Sequence, residues 1–271
     1  MKYMLTESEE KIIHEWTKYA GYTVRPLPST VHYYQSTILS RSALKHAMIY
    51  GGTPEIRGIF QQIDRSVILL DRSPQMVKAM GYLTPAKQAI ACNEKYIEGD
   101  WLDMDKLSQG FDLLIGDDAI NMLPWSQFKI FLQNAYRLLK RGGIFICHLL
   151  VKPDECFIGQ NVGDIYSAYT KGSIQSIYDL ASRLNFTCYD RASYRMGWQQ
   201  TIAALGEENL ALFKPSLDFI ATFGLCNSYF YCPPQAYFEA MLKSYFYIDE
   251  IFYPHEHDYC QFEPVYVLKK P

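Results

Sequence analysis

Between residues 46 and 151, short apolar runs alternate with helix-start signals, and few folds are compatible with this alternation. The five runs with strand character cover residues 47–50, 67–70, 95–98, 111–115 and 144–151. Strand–helix–strand units place their strands in parallel with right-handed crossovers, because each helix returns the chain to the same end of the sheet. The sequence therefore predicts a doubly wound α/β fold, in which ligands bind beyond the carboxyl ends of the strands.

Helices are predicted between these strands. Thr53-Pro54 and Ser73-Pro74 each combine an N-cap residue with a proline at the first helical position. After the fourth strand, an apolar stripe over residues 128–139 predicts a longer helix, which Gly142-Gly143 should end.

Beyond residue 151 the alternation stops and then returns in a different form. Helical stretches are predicted at 173–184 and 206–213, followed by a helix at 236–243 and strands at 245–253 and 262–269. About eight residues separate these two strands, too few for a parallel crossover, so the strands should pair antiparallel. The full prediction is a mostly parallel seven-stranded sheet with an antiparallel C-terminal hairpin.

Composition limits the possible partners and compartments. Lys and Arg number 26 against 29 Asp and Glu, so no overall positive field attracts nucleic acid, and no nucleic-acid partner is expected. The seven cysteines are an odd number without a C-x-x-C pair, which favours reduced thiols. Glu7, Glu9 and Glu10 lie where a signal peptide would be apolar, and no run of 18 apolar residues occurs. We expect a cytoplasmic protein without a membrane partner.

The turn after the first strand, Gly51 to Glu55, has features of a ligand-binding loop. Its glycines allow close approach of the backbone to a ligand, and the helix that follows presents free N–H groups. Glu55 would repel a pyrophosphate but would tolerate an ammonium or sulfonium group, and the dinucleotide pattern G-x-G-x-x-G is absent. An ordinary strand-to-helix turn is the alternative.

Acidic residues end the next three strands. Asp71 follows Gly51 by 20 residues, the spacing at which an acid reaches ribose hydroxyls in nucleoside-binding α/β folds. Asp100 can accept from an adenine amino group while Trp101 covers a ring face. Asp117 and Asp118 end the fourth strand. Helix caps and solvated loops are the alternative for each of these acids.

Five motifs in this order and spacing resemble those of class I S-adenosylmethionine-dependent methyltransferases. The resemblance covers residues 42–151 and, through the hairpin, about 236–271. The motifs are Gly51-Gly52-Thr53-Pro54-Glu55, Leu70-Asp71-Arg72-Ser73-Pro74-Gln75-Met76, Glu98-Gly99-Asp100-Trp101, Phe111-Asp112-Leu113-Leu114-Ile115-Gly116-Asp117 and Leu138-Leu139-Lys140-Arg141-Gly142-Gly143.

The resemblance implies a Rossmann-like methyltransferase fold and S-adenosylmethionine (SAM) as cofactor, with S-adenosylhomocysteine (SAH) as product. In that family the first loop cradles the methionine part, the acid after the second strand binds ribose, and the acid after the third strand binds adenine. The cofactor-binding residues that this implies here are Tyr50, Gly51, Gly52, Thr53, Glu55, Asp71, Arg72, Met76, Gly99, Asp100, Trp101, Asp117 and Asp118.

The chain departs from the family at its first motif, which usually reads as an acid, an apolar residue and then G-x-G-x-G. Ile49 takes the place of the acid, and Thr53 and Glu55 take the places of later glycines. We expect Glu55, Asp117 or the N-terminal segment to contribute the missing contacts with the methionine end.

The candidate bases for deprotonating a methyl acceptor are Asp117, Asp118, His255 and His257. The two histidines lie in the loop between the last two strands, and no metal site is expected, because spacing suggests no third ligand. His148 lies in an apolar strand and is expected to be a hydrogen-bonded core residue. An N-terminal aromatic segment that includes Trp16, Tyr19, Tyr22 and Tyr34 either covers the cofactor or packs against the sheet.

The resulting hypothesis is methyl transfer to an O or N atom of a small-molecule acceptor by one domain covering residues 1–271. That domain comprises an N-terminal helical segment (1–41), a cofactor-binding core (42–151), an insertion that caps the acceptor (152–235) and a C-terminal helix and hairpin (236–271). The alternatives are a degenerate methyltransferase fold that acts as a binding module, an aminopropyl transferase and, less well supported, an NAD(P)-dependent oxidoreductase or an RNA acceptor. The oligomeric state stays open.

Overall fold

A computed structural model describes residues 5–18, 25–63, 65–84, 94–105, 107–174, 177–205 and 229–271. Within these ranges seven strands form one sheet in the order β3-β2-β1-β4-β5-β9-β8, and β6 pairs antiparallel with β7 in a separate two-stranded sheet. Strands β1 to β5 are parallel, whereas β9 runs antiparallel to both of its neighbours. The predicted fold class is confirmed. The strands are β1 (His46–Tyr50), β2 (Ser66–Asp71), β3 (Glu94–Glu98), β4 (Phe111–Asp117), β5 (Leu139–His148), β6 (Arg195–Gly197), β7 (Tyr229–Tyr231), β8 (Tyr247–Phe252) and β9 (Val265–Lys269).

Helices cover both faces of the large sheet. Because side chains alternate along a strand, Met48 and Tyr50 of β1 pack into one apolar cluster while Ala47 and Ile49 pack into another. With both faces buried, polar side chains that bind ligands are left to the residues that follow the strands. The helices described are α1 (Glu7–Lys18), α2 (Pro28–Leu39), α3 (Pro54–Gln61), α4 (Pro74–Leu83), α5 (Trp125–Leu138), α6 (Val162–Thr170), α7 (Ile177–Thr187), α8 (Trp198–Leu205) and α9 (Gln235–Leu242).

The boundary between α5 and β5 differs from the prediction. The helix ends at Leu138 and β5 begins at Leu139, so Gly142 and Gly143 lie inside the strand instead of ending the helix. Gly142 has a φ of 75°, and its N–H donates to the carbonyl of Lys270 (3.0 Å). The glycine pair therefore bends a strand that is held by the C-terminal residues.

Four other elements, α6, α7, β8 and β9, also differ from the prediction. The predicted helix at 173–184 is observed as α7, and α6 precedes it without having been predicted. Strands β8 and β9 are shorter than predicted, and a 3-10 turn, Asp258–Phe262, includes the first residue of the second predicted run. The helix predicted at 206–213 lies outside the described residues.

The N-terminal helices attach to two different parts of the core. Helix α1 packs on α4, where Lys78 Nζ contacts Glu9 Oε2 at 2.9 Å. Helix α2 reaches the opposite end of the sheet, where the ring of Tyr33 stacks on Phe252 at 4.4 Å and its hydroxyl donates to Glu250 of β8 (2.8 Å). The segment therefore frames the carboxyl edge of the sheet from two sides.

A buried amide joins the two-stranded sheet to the core, in addition to the packing of Met196, Phe230 and Tyr231 against the core. The side chain of Asn121 donates to the carbonyls of Leu150 (2.8 Å) and Tyr231 (2.7 Å) and accepts from the N–H of Leu150 (2.9 Å). Asn121 is fully buried, so these bonds are shielded from water. Strand β7 is thereby fixed to the segment that follows β5.

Among the helices of the described ranges, none combines the length and apolar character that a membrane-spanning segment needs. The described cysteines, Cys147, Cys156, Cys188, Cys232 and Cys260, are free thiols, in agreement with the predicted reduced state. Cys92 and Cys226 lie outside the described residues.

A buried ion pair joins α3 to β3. The guanidinium of Arg57 donates to both carboxylate oxygens of Glu94 (2.6 and 2.9 Å) and to the carbonyl of Val77 in α4 (2.7 Å). The side chains of Arg57 and Glu94 are only 2% and 4% exposed. Removing one partner of such a pair leaves an uncompensated charge in the interior.

We predict that Arg57→Met lowers the free energy of unfolding by about 3 to 5 kcal/mol, because the methionine fills the space but leaves Glu94 charged and buried. Urea denaturation measures this effect. The matched control is Arg191→Met, since Arg191 pairs with Glu155 on the surface, and we expect no measurable change there. Equal effects of the two substitutions would contradict the prediction.

Candidate active site

Two neighbouring cavities lie at the carboxyl ends of the parallel strands. They have volumes of about 190 and 290 Å³, and both are lined by Trp101 and Met122. The first is also lined by Trp16, Tyr50, Gly51, Gly52, Thr53, Met76, Met80, Asp117, Asp118, Ala119 and Phe230. The second is also lined by Asp71, Arg72, Pro124, Tyr229 and Tyr231.

The loop between β1 and α3 forms one wall of the first cavity. Gly51 has a φ of 97°, which favours glycine, and its N–H donates to the carbonyl of Leu70 (2.9 Å). A Cβ at this position would lie 3.7 Å from Oδ2 of Asp71. The turn therefore brings the backbone after β1 next to the acid that ends β2.

Asp71 is a partly buried acceptor between the two cavities. Its Oδ1 accepts from the N–H of Ser73 (2.7 Å), and the Ser73 hydroxyl in turn caps α4 by accepting from Met76 (3.2 Å). Burial raises the pKa of Asp71 above its ordinary value, and the hydrogen bond from Ser73 offsets this only in part. Oδ2 of this carboxyl is available for donors of a ligand, such as vicinal hydroxyls.

Trp101, which follows β3, forms part of the wall of both cavities. The indole Nε1 donates to the carbonyl of Leu70 (2.8 Å), and the N–H of Gly99 donates to the carbonyl of Asp71 (3.1 Å). Asp100 uses Oδ1 to accept from Leu102 (2.9 Å). Gly99 and Asp100 are adjacent to the second cavity in sequence but are not among the residues that line it.

Glu55 differs from its predicted setting. Its carboxylate is paired with the guanidinium of Arg25, which also lies over the ring of Trp16 at 5.7 Å. Glu55 does not line either cavity. Because Arg25 offsets its charge, Glu55 no longer counts against a phosphate-bearing ligand in the way that the sequence suggested.

A hydrogen-bonded chain lies behind the first cavity at the ends of β4 and β5. The hydroxyl of Tyr34, in α2, donates to Oδ1 of Asp117 (2.5 Å), and Nδ1 of His148 lies 2.8 Å from the same oxygen. Asp118 Oδ1 lies 3.7 Å from His148 Nδ1, and its side chain is 19% exposed against 2% for Asp117. Asp118 therefore presents the cavity with the more accessible carboxylate.

The charges of these hydrogen-bonded side chains depend on one another. Burial alone would lower the pKa of His148, but the carboxylates of Asp118, Asp117 and Glu263 raise it to about 10. Burial raises the pKa of Asp118, an effect that the imidazolium of His148 partly reverses. The three side chains thus form an ion cluster, with the imidazolium between the carboxylates.

The two histidines of the loop after β8 occupy different environments. His255 is exposed, whereas the His257 side chain is buried and lies 4.0 Å from Glu263. Neither residue lines either of the two cavities described above. The structure therefore does not bring His255 and His257 together with Asp117 and Asp118.

Two groups of described side chains bring three potential metal ligands within 4.8 Å of one another. One consists of His257, Cys260 and Glu263 around the 3-10 turn. The other consists of Asp117, Asp118 and His148. We interpret the second as a hydrogen-bonded ion cluster, because Oδ1 of Asp117 already accepts from Tyr34 and His148.

Comparison with known proteins agrees with this geometry. Residues 53–143, which include Thr53, Asp71, Trp101 and Asp118, match the family described as methyltransferase domain. Residues 53–143 form a methyltransferase domain. Domains of this family use SAM, and the sheet order is that of the class I SAM-dependent methyltransferases. No curated protein matches the chain in sequence.

Solved structures share the fold of this chain over nearly its whole length. A putative Zn-dependent alcohol dehydrogenase of Rhodobacter sphaeroides aligns with a TM-score of 0.60 and 11% identity, covering 98% of this chain and 100% of its own. The 1,6-didemethyltoxoflavin-N1-methyltransferase of Burkholderia thailandensis, with bound 1,6-didemethyltoxoflavin and SAH, aligns with a TM-score of 0.54 and 8% identity. The alignment covers 100% of this chain and 92% of that enzyme. N-methyltransferase NodS of Bradyrhizobium japonicum, in complex with SAH, aligns with a TM-score of 0.50 and 10% identity, and the alignment covers 98% of this chain and 100% of NodS. At these identities the similarity shows the fold alone.

Sequence reasoning missed Arg25 as part of this site and placed His148 in the core without a functional partner. It named Tyr34 as a member of the N-terminal aromatic segment but did not predict its contact with Asp117. His148 is indeed buried and hydrogen-bonded, but its partner is the acid that ends the neighbouring strand. The strand register is the feature that could have revealed this contact. Asp117 pairs with His148 across β4 and β5, and both residues lie at the carboxyl edge of the sheet. Tyr19 and Tyr22 lie outside the described residues.

We predict that His148 stays protonated at neutral pH in the folded methyltransferase. Because an unfolded chain releases this proton near pH 6.5, the contribution of His148 to stability is complete below about that pH and is lost as the pH rises toward about 10. NMR titration of the histidine ring nitrogens measures this, with the exposed His32 as reference signal. Asp117→Asn should lower the pKa of His148, since it removes one of the attracting charges, and an unchanged titration in that variant would contradict the assignment.

Proposed function

We propose that this chain transfers the methyl group of SAM to an O or N atom of a small-molecule acceptor and releases SAH. One observation carries the proposal. Residues from the ends of β1, β2, β3 and β4 that the motifs single out, among them Gly51, Asp71, Trp101 and Asp118, line two adjoining cavities at one edge of the sheet.

The cofactor would span both cavities. Gly51, Gly52 and Thr53 would hold the methionine part against the start of α3, where backbone N–H groups are directed at the ligand. Asp71 would accept from the ribose hydroxyls, and Trp101 would cover the adenine ring. Bound SAM supplies a methyl group on a positively charged sulfur, which needs no further activation.

The remaining task of the protein is alignment. A methyl transfer requires the acceptor atom, the methyl carbon and the sulfur in line, so the cavity walls must hold the acceptor on the side opposite the sulfur. Phe230 of β7 lines the first cavity and is fixed through the Asn121 contacts, which favours the 152–235 segment as the wall that orients the acceptor. Asp118 is the described carboxylate placed to take a proton from it.

The alternatives make different predictions about binding. A degenerate fold acting as a binding module would not bind SAM, and an oxidoreductase would bind NAD. An aminopropyl transferase would share the nucleoside contacts but needs further acids to hold a polyamine. The altered first motif, in which the buried Ile49 takes the place of the usual acid, is the reason to test the binding-module alternative.

We predict micromolar binding of SAM and SAH, and no binding of NAD, in isothermal titration calorimetry. Asp71→Asn should weaken SAH binding about 10- to 100-fold, because it removes charge-assisted hydrogen bonds of about 1.5 to 3 kcal/mol. Asp105→Asn is the matched control, since Asp105 is 92% exposed and is not among the residues that line either cavity, and should bind as the wild type does. Failure of the wild type to bind either ligand would disprove the proposed function.

A further inference from the structure

The ion cluster of Asp117, Asp118 and His148 lies on one particular side of the proposed cofactor site. In the sheet order, the residues proposed to hold the nucleoside follow β2 and β3 and those proposed to hold the methionine part follow β1, whereas the cluster follows β4 and β5 on the other side of β1. The cluster is therefore beyond the methionine end, where an acceptor must lie for an in-line transfer.

The backbone directs Asp118 at the first cavity. Its φ of 53° is in the left-handed region, and its N–H donates to the carbonyl of His148 (3.2 Å) while its own carbonyl accepts from the N–H of Asn121 (3.1 Å). Non-glycine residues rarely adopt this conformation without a compensating gain, and such residues are concentrated at functional sites. Oδ1 of Asp118 has no hydrogen-bond partner among the described residues.

Tyr34, Asp117 and His148 fix the surroundings of Asp118 from three elements. Tyr34 is fully buried in α2, and its hydroxyl donates to Asp117, which binds the ring of His148. The ring, in turn, lies 3.7 Å from Oδ1 of Asp118. These three side chains determine both the orientation of His148 and the electrostatic environment of Asp118.

The cluster carries an excess of negative charge. Two carboxylates face one imidazolium, and the nearby carboxylate of Glu263 acts on both His148 and Asp118. The other titratable groups close to it, the Tyr34 hydroxyl and the thiols of Cys147 and Cys232, have raised pKa values through burial and stay neutral. An acceptor that becomes an oxyanion would be repelled here, whereas a cation would be attracted.

The rest of the cavity also suits a cation. Trp16, Tyr50, Trp101 and Phe230 contribute aromatic rings to its lining. Ring faces attract ammonium groups, most strongly where water is excluded. Negative charge and aromatic lining thus favour the same kind of acceptor.

We propose that the methyl acceptor is an amine, bound as its ammonium ion against Asp118, and that Tyr34, Asp117 and His148 are positioning residues that hold Asp118 for this purpose. This inference rests on the proposed function and deepens it, because it chooses nitrogen over oxygen.

The methyl transfer begins with a proton transfer to Asp118. An N–H proton of the ammonium ion passes to a carboxylate oxygen of Asp118, which leaves a neutral amine with a free lone pair. The nitrogen forms a bond to the methyl carbon as the carbon–sulfur bond breaks, and that electron pair stays on sulfur. The products are an N-methylammonium ion, protonated Asp118 and the neutral thioether of SAH. The raised pKa of Asp118 suits a group that takes up a proton at neutral pH.

The test compares acceptor probes that differ only in the reacting group: phenethylamine with 2-phenylethanol, and benzylamine with benzyl alcohol. The wild type is first titrated with SAH to establish cofactor binding. Transfer of tritiated methyl from SAM to each probe is then measured between pH 6 and 9. In parallel, the ring nitrogens of His148 are followed by NMR in the SAH-bound protein.

We expect methylation of the amines and not of the alcohols, with a rate that rises with pH as the ammonium ion is deprotonated more easily. Amines, but not alcohols, should lower the pKa of His148, because a bound ammonium ion offsets the charge of Asp118. Asp118→Asn should reduce kcat/KM for the amines at least 100-fold while leaving the Kd for SAH within about twofold of the wild-type value. Tyr34→Phe and Asp117→Asn should lower kcat more than they raise KM and shift the pH profile.

Tyr237→Phe, at a side chain that is 58% exposed, and Asp105→Asn are the matched controls and should behave like the wild type. Provided that the wild type binds SAH, the inference is overturned if the alcohols are methylated or if neither series is. It is also overturned if Asp118→Asn binds SAH tenfold more weakly or methylates the amines at the wild-type rate. Lack of SAH binding by the wild type would overturn the proposed function as well.

Discussion

Burial of both faces of the sheet is the constraint on which the rest of this structure depends. Because the side chains of β1, β4 and β5 are used in two apolar clusters, the strands themselves offer almost nothing polar to a ligand. Polar chemistry is confined to the first residues beyond each strand, where the carboxyl ends of five parallel strands meet. Both cavities and the ion cluster lie along this edge.

The same constraint explains what could be predicted from the sequence. A strand that is buried on both sides is a continuous apolar run, so the ends of β1, β2 and β4 were visible, and the residues that follow them were correctly expected at one edge. The start of β5 was not visible, because Gly142 and Gly143 resemble a helix stop and are held inside the strand only by pairing with residues from the end of the chain.

Contacts between distant segments account for what sequence reasoning missed. Tyr34 reaches Asp117 across 83 residues, and Arg25 reaches Glu55 across 30. Neither pairing has a local signature, since each depends on where α1 and α2 are placed on the finished sheet. The Arg25 contact also shows how a charge argument made from one residue can lose its force once an opposite charge is found beside it.

The buried amide of Asn121 has a consequence for how ligands exchange. Because it bonds to the segment after β5 and to β7 at once, the wall that carries Phe230 shares the rigidity of the central sheet. Helix α1, by contrast, rests on the surface of α4, with the half-exposed Lys78 among its contacts, and it contributes Trp16 to the opposite wall. A ligand that enters or leaves the first cavity would therefore pass between a wall tied to the central sheet and a wall that the N-terminal helix supplies.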